Sequence, residues 1–132
     1  MKQTMSTVSL LSSALCLASP AVAQTELGMW YHGAGNEVES IIINQIVDDF
    51  NASKSDWKVN IESFPQESYN DSVIGAALAG NLPDIIDVDG PVMPNWAWSG
   101  NMQPLPIDES VYVNFLPGTM GVWDGKLYSI GL

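Results

Sequence analysis

Two hydrophobic patterns of different period alternate between residues 26 and 88, and this alternation constrains the fold more than any other feature. Apolar residues at three- and four-residue spacing predict a first amphipathic helix: Val38, Ile42, Ile43, Ile46, Val47 and Phe50. A second helix is predicted from Glu67 to Ala79, because Gly80 is well placed to end it. Its buried side is predicted to carry Tyr69, Val73, Ala76 and Ala77.

Three strand-like segments flank these two helices. They are Glu26–Tyr31, the alternating segment Trp57–Ile61 and the β-branched run Asp84–Val88. Strands joined through helices in this order form a parallel sheet that is covered by helices on both faces. The sequence therefore predicts an α/β fold with a βαβαβ core and a mainly parallel sheet.

Polar and glycine-rich segments mark the junctions between these elements. His32–Gly35 is predicted to be a loop after the first strand. Asn36 can cap the first helix, with Glu39 three residues further on, close to a capping box. Beyond the third strand we predict an extended link over Met102–Glu109 and a short helix within Val111–Met120 that Pro117-Gly118 ends. Asp124-Gly125 is predicted to form the two-residue turn of a tight hairpin.

Met1–Ala23 has the organisation of a secretory signal peptide. A lysine precedes an apolar run, Val8–Ala18, that is shorter than the roughly 20 residues of a transmembrane helix. Ala21-Val22-Ala23 has the small-x-small form that signal peptidase cuts, so we expect export and cleavage after Ala23. An uncleaved anchor is the alternative, whereas a lipoprotein signal is disfavoured because Leu15 precedes Cys16.

The remaining residues, 24–132, are strongly acidic. They contain all fifteen acidic residues, three lysines and no arginine, which gives a formal charge of −12. This charge repels phosphate backbones and anionic lipid, so neither a nucleic-acid partner nor direct membrane insertion is expected. Cys16 leaves with the predicted signal peptide, so the remaining domain is expected to hold by packing without a disulfide.

Carboxylates and indoles cluster around the end of the third predicted strand, within Asn81–Gly100. Ligands of open α/β sheets bind outside the carboxyl ends of the strands, which places Asp89 at a candidate ligand site. Asp87 shares its face and either reaches ligand or bonds backbone amides of a neighbouring loop. Asp84 stands at the opposite end of the strand and is interpreted as a turn residue.

Other candidate contacts come from the first strand, the first helix and the tryptophan segment. Tyr31 and His32 close the first strand, and either can line the ligand edge, although a lone histidine more often has a structural role. Glu37 either reaches ligand or favours the positive end of the helix dipole. Trp96 is interpreted as facing the ligand and Trp98 as part of the core, because two such residues point to different sides of a helix.

The sequence contains no complete catalytic or cofactor motif. His32–Gly35 resembles the oxyanion loop of lipases and esterases, but there is no G-x-S-x-G turn, and the single histidine leaves no Ser-His pair. The same segment lacks the third glycine of a dinucleotide-binding motif. A calcium site on Asp84, Asp87 and Asp89 is disfavoured because a strand sends Asp84 to the opposite face. We therefore expect no enzyme, no cofactor and no bound metal.

Four stretches carry a family resemblance. They are LGMWYHGAGNEVESIIINQIVDDFN, WKVNIESFP, ESYNDSVIGAALAGNLPDIIDVDGPVMPNWAWSGNMQPLP and GVWDGKLYSIGL, and the most specific parts are Gly80–Asp89 and WDGKLYSI. Together they resemble the N-terminal part of extracellular solute-binding proteins of bacterial ABC importers, in the sugar-binding group similar to maltose-binding protein. The resemblance implies two lobes that close on a ligand like a hinge. Residues 24–120 would be the first lobe and 121–132 a hairpin and the start of the crossing, with the second lobe absent from this fragment.

The resemblance also implies a ligand site and partners. Its ligand wall comes from the loops after each strand, and the candidate residues are Tyr31, His32, Glu37, Tyr69, Asp87, Asp89 and Trp96. It implies a monomeric periplasmic protein that binds a sugar or polyol and delivers it to a membrane permease. Carboxylates and aromatic rings suit such ligands, which present hydroxyls and C–H faces. Two alternatives stay open: a truncated secreted α/β hydrolase with its serine beyond Leu132, and a decayed gene product that does not fold stably.

Overall fold

The computed structural model describes residues 24–131, and the predicted signal peptide with its cleavage site lies outside the described residues. Within that range the chain forms five strands and four α-helices. In order they are β1 (Thr25–Ala34), α1 (Glu37–Ser53), β2 (Trp57–Pro65), α2 (Gln66–Ala79), β3 (Ile85–Ile86), α3 (Met93–Trp98), α4 (Glu109–Tyr112), β4 (Met120–Trp123) and β5 (Lys126–Ile130), with a 3₁₀ turn at Pro117–Thr119 before β4. Every helix among the described residues is too short or too polar to cross a bilayer.

The first three strands form one parallel sheet in the order β2-β1-β3. The connection through α1 steps from β1 to one side, and the connection through α2 returns across β1 to the other side. Because parallel crossovers are right-handed, these opposite steps place α1 and α2 on opposite faces of the sheet. The predicted α/β fold with a parallel sheet and flanking helices is confirmed.

Strand β1 is longer than its sequence pattern predicts. The predicted loop His32–Gly35 is wrong for its first three residues, because β1 continues to Ala34. Pairing with β2 is regular up to Tyr31, shifts there, and resumes where Ala34 lies beside Pro65. Backbone pairing with β2 therefore overrides the turn preference of glycine in this segment.

Helix α1 begins as predicted, and its burial differs from the prediction. The Asn36 side chain accepts a hydrogen bond from the Glu39 amide at 3.3 Å, so the predicted cap is confirmed. Only Ile43 and Val47 are buried, whereas the rest of the predicted apolar face is half-buried or exposed. The exposed members are Val38 (66%), Ile42 (55%) and Ile46 (50%), and Ile41 adds to them at 64%. A three-stranded sheet covers only one stripe of this helix.

Helix α2 matches its sequence prediction closely. Tyr69 and Val73 are buried as predicted, whereas Ala76 and Ala77 are only half-buried. Gly80 ends the helix in the left-handed region at φ 71°. Strand β3, in contrast, is shorter than the predicted Asp84–Val88, because only Ile85 and Ile86 pair with β1.

The segment after β3 packs a β-hairpin against α3. Asp124 and Gly125 form its turn with φ values of 47° and 71°, so the predicted tight hairpin is confirmed. Gly121 of β4 lies so close to Met93 of α3 that an added Cβ would stand 2.8 Å from the methionine methyl carbon. The predicted helix within Val111–Met120 is wrong, because α4 ends at Tyr112.

Candidate functional site

An open cavity of about 800 Å³ lies at the carboxyl ends of β1 and β3. Its polar wall carries Tyr31 and His32 from β1, and Asp87 and Asp89 from the segment just after β3. The opposite wall is formed by the β4–β5 hairpin and the turn before it. The cavity therefore occupies the place where open α/β sheets bind ligands.

His32 and Asp87 meet across neighbouring strands. The His32 Nδ1 atom contacts the Asp87 Oδ2 atom, and the two side chains are 26% and 25% exposed. Asp87 also donates its backbone amide to the carbonyl of Trp30 at 3.0 Å. These contacts hold the Asp87 carboxylate at the cavity wall, with a histidine as its partner.

Tyr69 supports this wall from beneath. Its side chain is 4% exposed, and its hydroxyl lies 2.7 Å from the Asp87 carbonyl and 3.1 Å from the Trp30 carbonyl. Burial raises the pKa of the Tyr69 hydroxyl, and the negative charge of Asp87 raises it further. The ring belongs to an aromatic cluster, with its centroid 5.9 Å from His32 and 6.1 Å from Phe64. One buried hydroxyl thus links β1 to the segment that follows β3.

Tyr31 lies on the other face of β1 and contacts α1. Its hydroxyl lies 3.4 Å from the Glu39 carboxylate, and burial followed by the charge of Glu39 raises the pKa of Tyr31. The ring occupies the space that a side chain at Gly33 would need. Gly33 therefore has a structural role here, since it leaves room for an aromatic wall residue.

The charge of the cavity is negative. Its lining contains the carboxylates of Asp87 and Asp89, and the lysines of the described chain, Lys54, Lys58 and Lys126, do not line it. No group of three or more metal-ligating side chains occurs among residues 24–131. The arrangement offers hydrogen-bond acceptors next to an aromatic ring, which suits ligands rich in hydroxyl groups.

Several solved structures share this fold. One is the maltose/maltodextrin-binding domain from Bdellovibrio bacteriovorus bound to maltotriose, with a TM-score of 0.70 and 21% identity over 81% of this chain. Another is the extracellular solute-binding protein family 1 protein from Alicyclobacillus acidocaldarius, with a TM-score of 0.70 and 22% identity over 81%. The cyclic alpha-maltosyl-1,6-maltose binding protein from Arthrobacter globiformis has a TM-score of 0.70 and 23% identity over 79%. No family model and no curated protein matches the sequence.

The fold is that of an extracellular solute-binding protein. The chain spans only 27–28% of the length of these solved proteins, so it matches one part of the solute-binding-protein fold. This extent agrees with the truncated lobe that the sequence predicts. The cavity at the ends of β1 and β3 therefore belongs to the part of the fold that this chain covers.

The solute-binding-protein fold brings four of the seven predicted site residues to the cavity. Tyr31, His32, Asp87 and Asp89 line it. The other three lie elsewhere. Glu37 is exposed in the first turn of α1, Tyr69 is buried beneath the wall, and Trp96 is half-buried in α3.

Trp98 and Asp84 also differ from their predicted roles. Trp98 is 77% exposed, so its assignment to the core is wrong, because the six-residue helix α3 buries only Met93 and Ala97. Asp84 is more than a turn residue, since its carboxylate accepts the amide of Gly28 at 2.8 Å and extends the contact of β3 with β1.

The cavity also contains residues that the sequence reasoning missed. Thr119 and Ser129 line it from the hairpin side, and Met93 lines it from α3. The WDGKLYSI stretch and the Asp-Gly turn located the hairpin. Neither feature shows which side of the hairpin faces β3, because that depends on long-range packing.

Proposed function

We propose that the chain is part of a periplasmic, non-catalytic binding protein of an ABC importer, and that it contributes one wall of a site for a sugar or polyol. The observation that carries this proposal is the cavity in which Tyr31, His32, Asp87 and Asp89 meet at the carboxyl edge of a solute-binding-protein fold. The acidic lining and the exported, monomeric state expected from the sequence fit this role.

The binding chemistry follows from the wall residues. Asp89 is exposed and offers two carboxylate oxygens to ligand hydroxyls, and charged acceptors make hydrogen bonds roughly twice as strong as neutral ones. Asp87 adds a second acceptor, which His32 holds in place. The ring of Tyr31 supplies a flat apolar surface for the C–H face of a sugar.

A single wall makes the site incomplete. Well-formed small-molecule sites bury about 70–90% of their ligand, and a one-sided cavity cannot do so. We infer that the functional protein is longer, that a second lobe closes over the ligand by hinge motion, and that the closed form docks on the permease. The 28% share of the solved protein from Bdellovibrio supports this inference.

Isothermal titration calorimetry tests the proposal on two proteins: residues 24–132, and the mature protein encoded by the complete reading frame. The ligands are glucose, maltose, maltotriose, xylose and sorbitol. We expect micromolar binding of at least one ligand by the longer protein, about −8 kcal/mol, and dissociation constants above about 1 mM for the short chain. Micromolar binding by the short chain would refute the one-wall argument, and no binding by the longer protein would refute the ligand class.

Matched carboxylate variants assign the site. In the longer protein, Asp89→Asn should weaken binding about tenfold or more, because it removes a charged acceptor, about 1.4 kcal/mol or more. Asp84→Asn makes the same chemical change outside this cavity, at the Gly28 contact, and should leave the dissociation constant nearly unchanged. Equal effects of the two variants would place the ligand elsewhere.

A further inference from the structure

The carboxylate of Asp89 has no partner within the described part of the chain. The backbone of Asp89 is fixed, because its carbonyl accepts the amides of Val92 at 3.0 Å and Met93 at 3.2 Å. Its side chain is exposed at the 800 Å³ cavity, and no group among residues 24–131 makes a hydrogen bond or an ion pair with the carboxylate. A charged acceptor therefore stands at a fixed point of the chain and is left open to a ligand.

Asp87, the other carboxylate of the cavity, does have a partner. Its Oδ2 atom contacts the Nδ1 atom of His32, which lines the same cavity. A histidine can carry a positive charge, so the protein itself can offset the charge of Asp87. Asp89 is then the one carboxylate of this wall that lacks a partner of opposite charge.

The lysines of the described chain stand too far from the cavity to supply that partner. Lys54 follows α1 and Lys58 is the second residue of β2, so both lie at the amino ends of the strands. The cavity lies at the carboxyl ends. Lys126 begins β5, whereas β5 reaches the cavity with Ser129 and Ile130 near its end.

The unpaired charge of Asp89 matters most when the cavity closes. In the open cavity water solvates the carboxylate. A second lobe that closes over the ligand removes this water, and a buried charge without a partner is strongly unfavourable. A neutral ligand donates hydrogen bonds but leaves the charge in place, whereas an ammonium group donates hydrogen bonds and also neutralises the charge.

We propose that the ligand is an amino sugar whose ammonium group binds to Asp89. The proposal rests on the proposed function and specifies the ligand of the same cavity. The ring of Tyr31 lines this cavity and suits the C–H face of a sugar ring, so a sugar that carries the amine is favoured over an aliphatic amine. Because His32 already accompanies Asp87, one ammonium group balances the wall.

Three sugars that differ only at carbon 2 test the charge: glucose, glucosamine and N-acetylglucosamine. Titration calorimetry uses the mature protein encoded by the complete reading frame, at about pH 6.5, where amines of the α-amino type keep their proton. We expect glucosamine to bind at least about tenfold more tightly than either neutral sugar, because only its amine is charged. Glucosamine affinity equal to or below that of either neutral sugar would overturn the proposal.

A pair of carboxylate variants tests the position. Asp89→Asn in the longer protein keeps the size of the side chain without its charge, and we expect it to reduce the preference for glucosamine over glucose to less than about twofold. Asp84→Asn makes the same change outside this cavity and should keep the preference. A preference that survives Asp89→Asn would overturn the assignment to Asp89. If that variant fails to fold, the three sugars on the unmodified protein decide.

Putrescine separates an amino sugar from a simple amine. It carries ammonium groups without a sugar ring, so we expect it to bind at least about tenfold more weakly than glucosamine. Equally tight binding of putrescine would overturn the sugar part of the proposal.

This proposal and the proposed function fail in distinguishable ways. Micromolar binding of neutral sugars without a preference for glucosamine would retain the proposed function and refute the amino sugar. Failure of every sugar to bind would refute the ligand class and the amino sugar with it. A reading frame that ends at Leu132 would also overturn the amino sugar, because no second lobe would then close over Asp89.

Discussion

The Tyr69 hydroxyl shows how much of the candidate site depends on one atom. It lies within hydrogen-bond distance of the carbonyls of Trp30, within β1, and Asp87, just after β3. Asp87 in turn contacts His32 with its carboxylate. The position of both wall residues therefore depends on a side chain that does not line the cavity itself.

Removal of this hydroxyl should destabilise the fold. We expect Tyr69→Phe to lower the free energy of unfolding by about 1–3 kcal/mol, because it removes the side-chain donor of the part-buried Asp87 carbonyl, whereas the Trp30 carbonyl keeps the Asp87 amide. Urea denaturation followed by far-UV circular dichroism measures the change. Tyr128→Phe removes the same atom from a half-buried tyrosine and should cost clearly less. Equal losses would contradict the role assigned to the Tyr69 hydroxyl.

The same hydroxyl makes stability depend on alkaline pH. The pKa of Tyr69 is raised by burial above its ordinary value of 10.0, so the folded protein binds this proton more tightly than the unfolded chain. Its contribution is fully present below pH 10 and is lost as the pH rises above that value. Urea titrations between about pH 9 and pH 11.5 should show a decrease in unfolding free energy that is smaller in Tyr69→Phe. Parallel curves for the two proteins would contradict this.

At the scale of residues, the sequence predicts contacts that follow from strand position. Asp87, Asp89, Tyr31 and His32 stand at strand ends, and the rule for α/β sheets places such residues at the cavity. The sequence does not predict the contact between His32 and Asp87, because that depends on which strands are neighbours. It also does not decide whether Tyr69 points to ligand or to the core, because a side chain in the first turn of α2 can reach either.

At the scale of elements, Asn51 gives the sheet two unlike edges. Its carboxamide lies in the last turns of α1 and makes hydrogen bonds to both the amide and the carbonyl of Val59. Hydrogen bonds as well as packing therefore connect this helix to β2. Another chain therefore cannot pair with β2 at Val59 while this cap is in place.

Loss of the Asn51 carboxamide should both destabilise the chain and open β2. We expect Asn51→Ala to lower the free energy of unfolding by about 1–3 kcal/mol, since a part-buried amide and carbonyl lose their partners. Asn44→Ala is the matched control, because Asn44 is exposed on the same helix. Urea denaturation and hydrogen exchange at Val59 measure the two effects. A slowly exchanging Val59 amide in Asn51→Ala would contradict the capping role.

Helices α1 and α2 and the hairpin were predictable because local signals determine them. Asn36 caps α1, Gly80 ends α2, and Asp124-Gly125 forms the turn. The ends of β1 and β3 were not, because strand length depends on backbone pairing with a partner that is distant in sequence. The glycines after Tyr31 and the apolar run around Ile85 indicate a loop and a longer strand, and pairing changes both.

At the scale of the whole molecule, α1 presents an apolar face that residues 24–131 leave uncovered. Val38, Ile42 and Ile46 lie four residues apart, Ile41 stands beside them, and each is at least 50% exposed. Large exposed apolar patches are uncommon in monomeric soluble proteins and promote association. The charge of −12 opposes association of the same chains through mutual repulsion.

This face should bind a hydrophobic dye. We expect residues 24–132 to increase the fluorescence of ANS, and the double variant Ile42→Lys, Ile46→Lys to reduce it several-fold without lowering Tm, because both side chains are exposed. Asn44→Lys, Gln45→Lys changes the charge equally at exposed polar positions of the same helix and should leave dye binding unchanged. Equal dye binding by all three proteins would show that the dye reports another surface.

The Asn51 cap has a consequence for the order in which such a protein is made. Asn51 precedes Val59 by eight residues, so this cap can form almost as soon as β2 leaves the ribosome. From then on β2 cannot pair with another chain at Val59, whereas β3 has no such cap among the described residues. Pairing of neighbouring nascent chains with this sheet is therefore directed toward β3.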